Sequence, residues 1–254
     1  MVWPELLFGA RAPFIVNSII TLIPALAIGY LCTRTLEGLP FSALGAGFRP
    51  GWTRNLMAGI ALGFATLVLA ATPGIVSGRL SFSVSDRPGD NSLPLALLSG
   101  FVLFAVAAAF EEAFFRGYIF QTLVRADLAA VAIALTSIFF AILHLENPNA
   151  GVFSTLNTII AGIWFGIAYL KTRDLWFVWG LHLMWNFTQA SLFGIEVSGL
   201  SDIGEPSLLS EYDIGPTWLT GGNYGLEASG ACTIALTLSL VFISKAKWLK
   251  PDAK

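Results

Sequence analysis

The sequence predicts an all-α fold, a polytopic transmembrane bundle of about seven helices, on three observations. Of 254 residues, 56% are hydrophobic and only 12% are charged, against about 25% charged in an ordinary soluble chain. Mean hydropathy is +0.74. Apolar runs near the length of a bilayer crossing, about 20 residues, recur along the whole chain.

In chain order the runs lie near Phe14–Cys32, Leu56–Val76, Leu93–Val124, Leu128–Leu145, Phe153–Leu170, Leu175–Phe193 and Ala228–Ser244. The third is too long for one upright helix, so its Arg116–Val124 end is expected to tilt or to emerge into the interface. No internal repeat divides the chain, and residues 1–254 read as a single integral membrane domain. The N-terminus has one Glu and one Arg before Pro13 and lacks a basic leader region, so the first run reads as retained. Cys32 and Cys232 fall in apolar segments near opposite ends and read as small core residues. Gly59-x-x-x-Gly63 and Gly162-x-x-x-Gly166 are close-packing candidates, read as packing within the bundle rather than as a dimer contact.

The net charge of −2 implies no nucleic-acid partner; the distribution of charge says more. Arg34, Arg49 and Arg54 flank the first connection, Arg116 and Arg125 lie near the third, Lys171 and Arg173 form the fifth, and Lys245, Lys247, Lys250 and Lys254 follow the last run. The opposite side has Arg11, Arg79 and Arg87. Its long loop carries Glu196, Asp202, Glu205, Glu211, Asp213 and Glu227 without a basic residue. The positive-inside rule then puts the N-terminus outside and the C-terminus in the cytoplasm.

Ionisable groups inside apolar helices are costly and mark working sites. The third run contains Glu111-Glu112-Ala113-Phe114-Phe115-Arg116. Glu112 and Arg116 are four apart and share a face, whereas Glu111 is turned by roughly 100°. Arg116 can neutralise Glu112 and leave Glu111 available. The two histidines of the chain, His144 and His182, also lie in apolar helices, with Phe140 four residues before the first and Asn186 four after the second. Glu111 lies about 21 Å of helix before Arg125, and His144 about 24 Å after Leu128, at 1.5 Å per residue. Across an antiparallel hairpin they reach similar depth, and His182 with Asn186 can join that layer.

A carboxylate beside an imidazole can deprotonate water and return the proton to a leaving amine. A second His and an Asn amide can donate hydrogen bonds to the oxyanion of a tetrahedral intermediate. That set suits peptide-bond hydrolysis on a membrane peptide or protein. Alternatively, Glu111, His144 and His182 could hold a divalent metal such as zinc, whose bound water attacks. The residues alone leave both open. No H-E-x-x-H, G-x-G-D or G-x-S-G occurs in the chain.

On these motifs the sequence resembles the CPBP family, the CAAX-protease and bacteriocin-processing (Abi) group. Glu111-Glu112-Ala113-Phe114-Phe115-Arg116 is similar to its E-E-x-x-x-R motif, Phe140 to His144 to F-x-x-x-H, and His182 to Asn186 to H-x-x-x-N. The resemblance covers about 93–193. It implies an intramembrane endopeptidase in which Glu111 and His144 activate water while His182 and Asn186 hold the oxyanion, with Glu112, Arg116 and Phe140 supporting. Members are labelled metalloproteases, and a metal-independent glutamate mechanism has also been argued within the family. Chains of this size are often bacterial, which points to the bacterial cytoplasmic membrane and away from assuming a prenylated substrate. Two other classes stay open: a non-enzymatic scaffold or immunity-type protein with a buried polar network, and a proton-coupled carrier using Glu and His as relays. The lack of an inverted repeat weighs against a carrier.

Overall fold

The computed structural model describes residues 11–85, 93–201, 203 and 206–249; Arg87, Asp202, Glu205, Lys250, Lys254 and the first ten residues lie outside that set. The principal helices are α1 (Ala12–Leu36), α2 (Trp52–Val76), α3 (Leu93–Arg116), α4 (Tyr118–Arg125), α5 (Ala129–Leu143), α6 (Val152–Thr172), α7 (Leu175–Phe187), α8 (Thr217–Thr220) and α9 (Gly230–Lys245). Ala12–Leu36, Trp52–Val76, Leu93–Arg125 and Val152–Thr172 are long and apolar enough to cross a bilayer, while Ala129–Leu143 and Gly230–Lys245 are shorter apolar helices. The all-α bundle therefore stands, with fewer full-length crossings among the described residues than the sequence predicts. Its outer surface is apolar: Ile20, Ile23 and Leu31 of α1 are each 60% or 61% exposed. Such a surface is stable against lipid and costly against water.

The long third run breaks where Gly117 adopts φ −75, ψ −121. A Cβ there would lie 2.0 Å from the Ala113 carbonyl oxygen, so only glycine permits this bend. Beyond it α4 is amphipathic. Its Gln121 amide donates to the carbonyls of Leu44 and Arg116, and Thr122 and Arg125 bond the Glu37 carboxylate at 2.6 and 2.8 Å.

Glycine sets the helix spacing. α2 packs along α7 so closely that a Cβ on Gly59 would meet the Phe177 carbonyl oxygen at 2.1 Å, and one on Gly63 the Leu181 carbonyl oxygen at 2.3 Å. From the other side Gly180 faces the Leu56 carbonyl, and Gly162 of α6 lies against Ser137 of α5. Both spaced glycine pairs thus serve packing inside one chain. Leu67, Phe177, Val178 and Leu181 fill the core beside them.

The long acidic connection is not an open loop. After α7 the chain continues through a buried π-helical turn, Thr188–Leu192. It then forms an antiparallel ribbon in which β2 (Leu209–Asp213) pairs with β1 (Leu80–Val84), from Leu80↔Asp213 to Val84↔Leu209. The alternation Leu-Ser-Phe-Ser-Val of β1 is a period-two strand signal. Arg11, read from sequence as an outer-side loop charge, is 1% exposed and donates to the carbonyls of Ile203, Ala96 and Pro206 and to Ser99 Oγ. It fastens the start of α1 to α3 and to the acidic connection. Cys32 and Cys232 are free thiols.

Candidate active site

Three helices bring the polar residues together. On α3, adjacent carboxylates diverge, as their roughly 100° separation requires. α7 is fixed at its start by Asp174, which accepts from the Trp176 N–H at 2.9 Å and from the Asn55 amide at 2.8 Å. Two turns on, His182 is 5% exposed. α5 ends at Leu143, and His144 is its C-cap.

Glu112 organises the buried side of the site. Its Oε1 accepts from Arg116 Nη1 at 3.1 Å and contacts His182 Nδ1 at 2.8 Å. Arg116 is 0% exposed; its other terminal nitrogen donates to the Gly162 carbonyl at 3.1 Å. Its guanidinium lies 5.6, 5.2 and 5.0 Å from the ring centres of Phe115, Phe140 and Phe165, within cation–π range. The Glu112–Arg116 pairing expected from sequence is present, but Glu112 is more than a counter-ion. It also orients His182, whose ring stacks on Phe165 at 4.6 Å between centroids.

His182 Nε2 therefore faces Glu111, whose Oε2 lies 3.8 Å away. That oxygen is buried and accepts no hydrogen bond within the structure. His144 Nδ1 bonds the Phe140 carbonyl at 2.7 Å. A carbonyl can only accept, so Nδ1 carries a proton, and in the neutral ring the lone pair lies on Nε2. This bond also satisfies one of the orphan carbonyls at the end of α5. Phe140 thus contributes its backbone oxygen as well as its ring.

Glu111, His144, His182 and Asn186 all line one cavity of about 420 Å³, walled mainly by apolar side chains including Leu103, Phe104, Phe165 and Leu236. Among the described residues no hydrogen bond or ion pair joins Glu111 directly to His144; its nearest imidazole is His182. Glu111, His144 and His182, the alternative metal set, share this cavity without forming a close cluster. No three His, Cys, Asp or Glu side chains among the described residues form a ligand group; the Nδ1 atoms of both histidines bond Glu112 and Phe140, which leaves the Nε2 atoms uncommitted by those bonds.

Glu227, in the short turn before α9, also lines the cavity. Its carboxylate accepts from the Ser198 backbone N–H, from Ser198 Oγ at 3.3 Å and from Trp185 Nε1 at 3.4 Å. Burial pushes this carboxyl above its ordinary range, against the lowering effects of the Ser198 N–H and of His144. Sequence reasoning counted Glu227 as one acid among several in the long loop. Only its place immediately before the last apolar run sets it apart.

The comparisons with known proteins single out the same part of the chain. Residues 93–188, from the start of α3 to just past α7, match the family described as type II CAAX prenyl endopeptidase Rce1-like. This core is similar to the CAAX-protease family. The match supports, at family level, an intramembrane CAAX-type protease. The match takes in Glu111, Glu112, Arg116, Phe140, His144, His182 and Asn186 and leaves out α1, α2, the acidic connection and α9. No curated protein and no solved structure matches the chain.

Proposed function

We propose that the protein is a glutamate-dependent endopeptidase that hydrolyses a peptide bond within or at the edge of the membrane without a metal. The observation that carries this reading is the convergence of Glu111, His144, His182 and Asn186 on one largely apolar cavity. Such walls exclude bulk water and strengthen every charge interaction inside.

Glu111 has the free carboxylate oxygen needed to take a proton from a water molecule held between it and His144 Nε2. The water oxygen attacks the scissile carbonyl carbon, and the carbonyl oxygen becomes an oxyanion. His182 Nε2, in the doubly protonated ring that Glu112 supports, and the Asn186 amide donate to that oxyanion. As the C–N bond breaks, the proton taken by Glu111 passes through His144 to the departing nitrogen, giving one carboxylate and one amine product. Arg116 and Glu112 stay outside the reaction and hold His182 in place. The reading requires a peptide that can enter an apolar cavity; it does not require a prenyl group.

The test is cleavage of an internally quenched hydrophobic peptide by the full-length protein in proteoliposomes. Glu111→Gln is expected to abolish turnover while melting like the wild type, and a strong divalent-metal chelator to leave turnover unchanged. Wild-type rates for Glu111→Gln would overturn the assignment of the base, and chelator-reversible loss would overturn the metal-free mechanism.

A further inference from the structure

Glu227 is a carboxylate held in the cavity wall with no part in the hydrolysis just described. Its position is built. The Asn157 amide, from α6, donates to the carbonyls of Glu227 and Ser229, at 2.8 Å each, and Thr233 Oγ1 bonds Asn157 Oδ1 at 2.6 Å. The carboxylate oxygens are aimed by Ser198 and by Trp185, a neighbour of Asn186 and one turn from His182 on α7. Among the described residues no lysine or arginine forms an ion pair with it. A carboxylate in an apolar cavity is costly unless a cation meets it, and nothing in the hydrolytic set supplies one permanently.

We infer that Glu227 forms a subsite for a basic side chain of the peptide substrate, placed next to the scissile bond on the side of the acidic connection. This rests on the peptidase reading and specifies its substrate class: a hydrophobic peptide interrupted by a lysine or arginine. The surroundings favour the same class. A second recess, which shares Phe14 and Leu200 with the main cavity, is lined by Glu196. The connection between α7 and α9 holds no lysine or arginine, so a cation approaching from that side meets only negative charge. A substrate ammonium at Glu227 also favours the ionised carboxylate over the protonated form that burial promotes.

The experiment measures binding rather than turnover, so that it does not depend on the hydrolytic reading. Full-length Glu111→Gln protein in nanodiscs is titrated with N-acetylated, fluorescent Leu/Ala-rich peptides. Each carries one Lys, Gln or Glu, moved residue by residue along the sequence. At one register the Lys peptide is expected to bind roughly ten- to a hundredfold tighter than its Gln counterpart, as a charge-assisted bond implies. Adding Glu227→Gln should erase the difference, and Glu227→Lys should transfer the preference to the Glu peptide. Equal binding of the three peptides at every register would overturn the subsite, as would a Lys preference that survives Glu227→Gln. In protein with Glu111 intact, a Glu227→Gln loss of turnover equal for all peptides, with binding unchanged, would assign Glu227 to His144 instead and equally overturn it. If wild-type protein cleaves none of these peptides but the Lys preference is present, the peptidase reading fails and the subsite stands.

Discussion

Removing the Glu112 carboxylate tests the division of labour between the two adjacent glutamates. In Glu112→Ala, Arg116 keeps the Gly162 carbonyl and three aromatic faces but loses its anion in a fully buried position. Breaking a buried pair from one side costs about 3–5 kcal/mol, and the His182 bond to the same oxygen is worth about 1.5–3 kcal/mol. Because Glu112 Oε1 serves both donors, these losses overlap and do not add. A loss of about 4 kcal/mol corresponds to a fall of roughly 10 °C in melting temperature for a chain of this size. Replacing both partners, Glu112→Leu with Arg116→Met, removes the stranded cation and should recover most of that fall, since apolar replacements of buried pairs are often near neutral. Turnover should stay low in the double variant, because His182 is no longer oriented. Detergent melting and proteoliposome cleavage of the three proteins check this. A Glu112→Ala protein that melts like wild type would refute the buried-pair reasoning, and full activity in the double variant would refute the orienting role.

Two further outcomes follow from the acidic connection. Burial and the charges of Glu196 and Asp213 push the Glu211 carboxyl up to about 8 from 4.5. A raised acid is stabilising when protonated, so its contribution is present at low pH and is lost as pH rises towards 8. Glu211→Gln should therefore melt like wild type near pH 5 and above it near pH 9; equal melting curves at pH 9 would contradict the shift. From positive-inside charge we propose that the acidic connection, and the cavity beneath it, lie on the extracytoplasmic side. In a background lacking Cys32 and Cys232, Asn147→Cys and Asn223→Cys should react with an impermeant thiol reagent on intact cells. Labelling only after the cells are opened would reverse the orientation.

The parts of the site legible in the sequence are those fixed by helical periodicity. The four-residue spacings of Glu112 with Arg116, Phe140 with His144 and His182 with Asn186 survive into three dimensions because each pair lies on or at the end of one helix. Apolar runs found the helices for the same reason, whereas α7, at 13 residues, is shorter than its run because the backbone passes into the π-helical turn at Thr188. What periodicity misses is contact between elements. The bond from Glu112 to His182 spans 70 residues and depends on the glycine-driven approach of α7 to the bundle. The Phe165 stack on His182 and the Gly162 carbonyl under Arg116 come from α6, which carries no ionisable group facing the site. Glu227 reaches the cavity only because Asn157 and Ser198 fold its turn inward. Of the ribbon only β1 alternates, over five residues, too short to stand out beside apolar runs several times longer.

The central claim, that Glu111 activates water to cut a membrane peptide, is tested most directly where the natural substrates are present. Membranes from cells expressing the wild type and from cells expressing Glu111→Gln at equal levels can be compared by sequencing protein termini. New termini within or beside apolar segments are expected with the wild type and not with Glu111→Gln. The same set of termini in both membranes would contradict the account.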